Sequence, residues 1–245
     1  MILAIDTSTD WLGIGLYDEV SRMVVAERIW RGNRDQCEQL VPAIDQELRS
    51  GQLTRKDVTA IAVATGPGTF NGVRVGVTTA KMLAMVLAVP LTGVGTFEMY
   101  AAGASIDNGL VRPVLMMSAK HDVVTALWRR ARHSGREHDE TFSFSTRRDD
   151  RILLEIESPS VRSIEEIVQI PDEPTLFVGE FNAEWRRRID ALGGNAWIAP
   201  AMECVRRPAL LAAIAARRIS MGLADNPATL APVYARPPHI TVPKR

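Results

Sequence analysis

The stretch Thr65-Gly66-Pro67-Gly68-Thr69-Phe70-Asn71-Gly72-Val73-Arg74-Val75-Gly76 decides how this chain is read. An apolar run at 61–64 precedes it, and a helix-like segment follows to about residue 88. A strand therefore enters a glycine-rich elbow, and the elbow opens a helix. In α/β proteins ligands gather beyond the carboxyl ends of strands, where helix N-termini point at them. Glycines at 66, 68, 72 and 76 imply a sharp bend or a close approach by another group. The elbow is not a P-loop, because no Lys-Ser/Thr pair follows the glycines. Pro67 and Phe70 break the spacing of a dinucleotide fingerprint. Arg74, in the first helical turn, reads either as a contact for an anion or acidic partner or as a local surface charge.

Upstream, residues 2–5 form a buried-type strand ending at Asp6. Residues 11–17 alternate, with Leu12, Ile14 and Leu16 on one face and glycines on the other. A third strand runs over 23–29, and a turn near Asp18 joins the two. The period then becomes helical: Leu40, Val41, Ile44 and Leu48 recur between about 34 and 49, and Gly51 ends the helix. Strand 58–64, helix 72–88, strand 91–94 and a helix capped by Thr96 complete the first half. The second half repeats this order more loosely: strands at 114–119, 123–128 and 141–145, then a capping box at Ser163–Glu166 opening a helix to about 170. Strand 176–178, helix 183–192, an extended 197–198 and an Ala-rich helix from Pro208 to about 221 follow. Residues 232–245 are proline-rich and read as an extended tail. The same order twice predicts a duplicated α/β unit with two lobes, 1–104 and 105–245, facing each other across a cleft.

The 245 residues suffice for a full core, and 46% apolar with 24% charged residues is ordinary for a globular protein. Lys plus Arg number 29 and Asp plus Glu number 29, so no global field steers the chain to nucleic acid or membrane. Cys37 and Cys204 form no CxxC pair, which fits a reducing compartment. There is no signal-like head and no membrane-length apolar run; a cytoplasmic location is expected.

Two groups of residues could carry function. Asp6, Thr7, Ser8 and Thr9 place a carboxylate and three hydroxyls in a tight turn between strands. Such a hairpin can hold a phosphate, and Asp6 a water-bound Mg²⁺; the same residues also satisfy ordinary turns. With Gly66, Gly68 and Thr69 of the elbow they make the candidate nucleotide or phosphate site. The second group is helical. Gly72, Gly76, Ala80, Leu83 and Leu87 fall near one stripe, where small residues would let another helix approach; packing on the chain's own sheet is the alternative. Leu40, Val41, Ile44 and Leu48 pose the same question. Together with Arg74 these ten residues are the candidate partner face. His121, His133, His138 and His239 contain no pair four apart, so a helical His-x-x-x-His metal site is absent. No Gly-x-Ser-x-Gly elbow is present. No catalytic or metal residues are assigned.

The segment 2–9 together with Gly-Pro-Gly-Thr-Phe-Asn-Gly-Val-Arg-Val-Gly at 66–76 resembles the TsaB (YeaZ) family. These are non-catalytic subunits of bacterial tRNA threonylcarbamoyladenosine synthesis. Pro90-Leu91-Thr92-Gly93-Val94 and Pro232-Val233-Tyr234-Ala235-Arg236 match further segments. The resemblance implies a duplicated actin/Hsp70-like, ribonuclease H-like α/β fold with a mixed sheet in each lobe. It implies a scaffold that binds and activates a TsaD-type catalytic subunit through helices near 36–48 and 72–88. It also implies a TsaE-type ATPase in the wider complex, self-association when alone, and only indirect contact with tRNA. No cofactor is required by such a chain, and ATP belongs to the complex interface. There are departures: Gln36 stands where relatives often carry His, and Ser118-Ala119-Lys120-His121 replaces a family Asp-Ala-Arg segment, weakening the second hairpin. The alternative is an independent actin-fold phosphotransferase, which would need a second carboxylate and a Gly-Gly turn; Gly179 is followed by Glu180 instead. A peptidase, the second rival, lacks a nucleophile–base set.

Overall fold

A computed structural model describes residues 1–32, 36–116, 122–132, 151–167 and 171–235. The first five strands are β1 (Ile2–Asp6), β2 (Trp11–Asp18), β3 (Met23–Arg31), β4 (Ala60–Ala64) and β5 (Leu91–Val94). They form one sheet in the order β3-β2-β1-β4-β5. The second sheet holds β6 (Gly109–Met116), β7 (Asp122–Arg132), β8 (Arg151–Ser163), β9 (Thr175–Gly179) and β10 (Ala196–Ile198). Its order, read from the matching edge, is β8-β7-β6-β9-β10. In each sheet the first three strands pair antiparallel and the last two add in parallel. Both sheets thus repeat one strand order, as the duplicated α/β unit expected from the sequence requires.

Among the described residues, six α-helices cover the sheets: α1 (Gln36–Ser50), α2 (Phe70–Leu87), α3 (Thr96–Gly103), α4 (Ile164–Ile167), α5 (Ala183–Asp190) and α6 (Pro208–Ser220). β1 and β4 are buried on both faces, which is why they read as continuous apolar runs. Leu3, Ile5, Ile61 and Val63 point toward α1 and α2, into a cluster with Leu40, Ile44, Val73, Val77 and Ala80. Ile2, Ala4, Ala60, Ala62 and Ala64 point the other way, against Leu211, Ala212, Ile214 and Ala215 of α6. The small residues on that face let α6 lie close. Side chains at Gly13 or Gly15 of β2 would collide with Pro208 and Ala209.

α3 makes the complementary exchange. Its Phe97, Tyr100 and Ala101 pack with Val111, Leu115, Val124 and Val178 of the second sheet, while α4 and α5 cover the opposite face through Ile164, Ile167, Trp185 and Ile189. α3 and α6 therefore form a middle layer between the two sheets. β5 ends at Val94 and β6 starts at Gly109, and helix packing joins the two sheets across position 104/105. The chain after α6 also returns to the first lobe: Asp225 bridges Leu91, and the Val233 amide donates to the Thr65 carbonyl at 2.7 Å.

Several local expectations are corrected. α2 starts at Phe70, capped by Thr69, whose hydroxyl accepts from the Gly72 amide. Thr96 does not cap α3; Gly95 holds that position, and the buried Thr96 hydroxyl finds no hydrogen-bond partner among the described residues. The sequence reading contains no counterpart of β8. It is an edge strand with Pro159 beside a register shift, where proline is tolerated. The expected strand at 141–145, the histidines at 121, 133, 138 and 239, and the segment 118–121 lie outside the described residues. Among those described, no helix is long and apolar enough to cross a membrane.

Candidate functional site

An acid stands at the end of β1 and another just after β9, and both reach into the cleft between the lobes. Asp6 closes β1 and is 1% exposed; Glu180 follows β9. Between them lies Arg206, from the loop that leads into α6. Its Nε donates to Asp6 Oδ2 at 2.7 Å and its Nη1 to Glu180 Oε1 at 2.8 Å. Its Nη2 donates to Thr9 Oγ1 at 2.7 Å and to the Trp11 carbonyl at 2.8 Å. Nη1 also donates to the Tyr100 hydroxyl at 3.4 Å. Burial works against the guanidinium charge, yet Asp6, Tyr100 and Glu180 hold its pKa above the ordinary arginine value. Burial likewise pushes the Tyr100 hydroxyl above its usual value, with Arg206 opposing. A charge removed from water needs this kind of complete pairing.

The hairpin itself is consumed by internal bonds. Asp6 Oδ1 accepts from the Ser8 amide at 2.9 Å and the Ser8 hydroxyl at 2.6 Å. The Thr7 hydroxyl donates to the Gly72 carbonyl at 2.7 Å, and Thr9 Oγ1 donates to Glu180 at 2.9 Å. The elbow glycines face this hairpin, not an open phosphate cradle. A Cβ on Gly68 would overlap the Ser8 carbonyl, one on Gly72 the Thr7 carbonyl, and one on Gly76 the Thr7 hydroxyl. Gly66 has φ +105°, and a Cβ there would strike the Val233 carbonyl. The structure gathers Asp6, Thr7, Ser8, Thr9, Gly66, Gly68 and Thr69 in one region, where their close contacts and hydrogen bonds are with protein groups. A cavity of ≈ 360 Å³ remains beside them, lined by Trp11, Glu180, Phe181, Arg186, Cys204 and Arg206 among others.

The candidate partner face is corrected by burial. Leu40, Ile44, Leu48, Gly72, Gly76 and Ala80 are buried, and all but the two glycines belong to the core cluster under the first sheet. Leu83 and Leu87 are half-buried against the same cluster. The small-residue stripe serves the chain's own hairpin and sheet. Val41 and Arg74 do face outward; Arg74 lies over the Phe70 ring at 5.0 Å, and Phe70 in turn contacts Tyr234. The opposite side of α2 carries exposed apolar residues that the sequence reading passed over: Met82 at 49%, Met85 at 70% and Val86 at 75%. The other missed residue is Arg206. It stands 200 positions from Asp6, and no local pattern links them.

Known proteins resemble this chain at several levels. A family model described as TsaD, tRNA N6-adenosine threonylcarbamoyltransferase, matches residues 31–169, more than half of the chain. The tRNA threonylcarbamoyladenosine biosynthesis protein TsaB of Bacillus subtilis (strain 168) is 31% identical over 212 residues, covering 86% of this chain and 85% of that protein. The Escherichia coli (strain K12) protein of the same name is 31% identical over 119 residues, 49% of this chain and 50% of its own. Among solved structures, YeaZ from Pseudomonas aeruginosa superposes with a TM-score of 0.69 at 18% identity, over 95% of this chain and 98% of that one. A second Pseudomonas aeruginosa structure, described as similar to peptidase YEAZ, gives 0.71 at 18% identity, over 96% and 99%. The fold is the duplicated actin-like α/β architecture.

Proposed function

The chain belongs to the TsaB family, and on that premise we propose that it is a scaffold and activator: it holds a TsaD-type catalytic subunit that transfers a threonylcarbamoyl group to adenosine of tRNA. One observation carries the reading. α1 and α2 cover the first sheet with one side and expose Val41, Met82, Met85 and Val86 with the other. A run of exposed methionine and valine on a rigid helix pair suits a protein partner. The cleft supports the same reading from the opposite direction, because both Asp6 oxygens are taken by Arg206 and Ser8. An independent phosphotransferase would need that carboxylate free for a metal. In this reading the chain needs no cofactor of its own. ATP is handled at the junction of the assembly with a TsaE-type ATPase, and tRNA meets the catalytic subunit. Self-association when alone would use the same helices.

The test is co-purification with the TsaD-type subunit. Met82→Glu combined with Met85→Glu should weaken binding by roughly 2 kcal/mol, about thirtyfold. Both positions are exposed, so the melting midpoint should scarcely move. Full co-purification of the double variant would remove α2 as the docking face. Failure of the unaltered chain to bind, or tRNA modification proceeding without it, would remove the function.

A further inference from the structure

The hydrogen bonds around Arg206 do not stop at the cleft. Asp6, held by the guanidinium, fixes Ser8 through its second oxygen. The Ser8 carbonyl accepts from the Thr69 amide at 2.6 Å, at the cap of α2. Thr7 bonds the Gly72 carbonyl in the first turn of the same helix. Thr9, also held by Arg206, has its carbonyl bonded by the Gln36 side chain at 3.3 Å, at the start of α1. On the far side, Nη1 reaches Glu180 at the end of β9, in the other lobe. One buried guanidinium, 4% exposed, thus ties the second lobe to the hairpin on which both outer helices of the first lobe are anchored.

We propose that Arg206 is an interlobe clasp: it holds the two lobes in one arrangement and, through the 6–9 hairpin, sets the N-terminal turns of α1 and α2. Arg206 touches no partner in this scheme and acts as a positioning residue. The geometry is particular to arginine, since a lysine ammonium cannot fork to Asp6, Thr9, Trp11 and Glu180 at once. Its effect on partner affinity rests on the docking function proposed above; the clasp itself does not.

Amide hydrogen exchange on the full chain separates the two. In Arg206→Lys, amides at 6–13, 40–44 and 69–76 should exchange about tenfold faster, while those of β4 and α6 keep their rates. Uniform acceleration across both sheets would mean only a global loss of stability and would overturn the proposal. Glu180→Ala removes the acceptor of one arm at a partly exposed position and leaves the Asp6 pair intact. Spin labels attached through Val20→Cys and Glu184→Cys, in a Cys37→Ser, Cys204→Ala background, read the distance between the lobes. With Glu180 in place that distance should be single and narrow, and Glu180→Ala should broaden it. A narrow distance in E180A together with unchanged exchange in R206K would refute the clasp. If exchange and distances respond while affinity for the TsaD-type subunit does not, the clasp stands and docking through α1 and α2 falls.

Discussion

The two lobes share a strand order and differ in their helices. The connections around β4 hold α1, with 15 residues, and α2, with 18. Of the equivalent connections around β9, the one after it holds α5, with 8 residues, fewer than half of α2. A sheet is fixed by strand pairing and by burial of both faces, so its order resists change. A covering helix needs only one apolar face, and it can shorten until that face is just covered. The second lobe has done so, with Trp185 and Ile189 covering what α5 must cover. Long helices persist in the first lobe, where their outer sides also expose apolar residues. Under the docking function proposed above, the first lobe keeps long helices for a partner while the second covers only its own core.

Glycine substitutions should sharpen the contrast most. Gly68→Val drives a side chain into the Ser8 carbonyl and should cost about 3 kcal/mol in urea denaturation. Gly193→Asn, in the second lobe, meets nothing within 4 Å and keeps a residue that tolerates φ +58°, so it should be nearly neutral. Similar losses at both sites would mean that the elbow is no tighter than an ordinary turn. Helix starts come next. Thr69→Ala removes the α2 cap and should cost about 1 kcal/mol in the same measurement. Thr96→Val, in the helix that serves the second sheet, replaces a buried hydroxyl that no described group satisfies and should be neutral or stabilising.

The smallest effect concerns pH. Burial raises the Glu98 pKa above the ordinary carboxylate value despite the Arg218 pair. The native state therefore holds this proton where the unfolded chain has released it. Glu98's contribution is fullest below its unfolded pKa and is lost as pH climbs through the folded one. Glu98→Gln should flatten that limb of the stability profile, measured by denaturation across mildly acidic pH. An unchanged slope would show that Arg218 compensates the burial.

The strands of the first half are legible in the sequence because β1 is apolar up to Asp6, β4 is apolar throughout and β2 alternates with glycine. Helix positions are legible from period, yet the outward side of α2 is not. Gly72, Gly76 and Ala80 look like a docking stripe, but small residues are equally what a helix needs to sit on its own hairpin. Period locates a stripe; it does not say which neighbour fills it. β8 escapes because an edge strand buries little: of its apolar residues Leu153 is buried while Ile156 is 49% exposed. Arg206 escapes for a different reason. A charge pair spanning 200 residues leaves no mark on either local segment, and only the folded chain brings them together.

The exchange of α3 and α6 between the lobes makes each half structurally incomplete. Severed near residue 104, the first fragment would present Ala4, Ala62 and Ala64 to water, since the helix that shields them is encoded beyond residue 207. The second would likewise lack Phe97 and Tyr100 against Val111 and Val178. Each piece alone would expose apolar surface that the other covers in the whole chain. During synthesis the ribosome must release the polypeptide past residue 220 before the first sheet can be sealed.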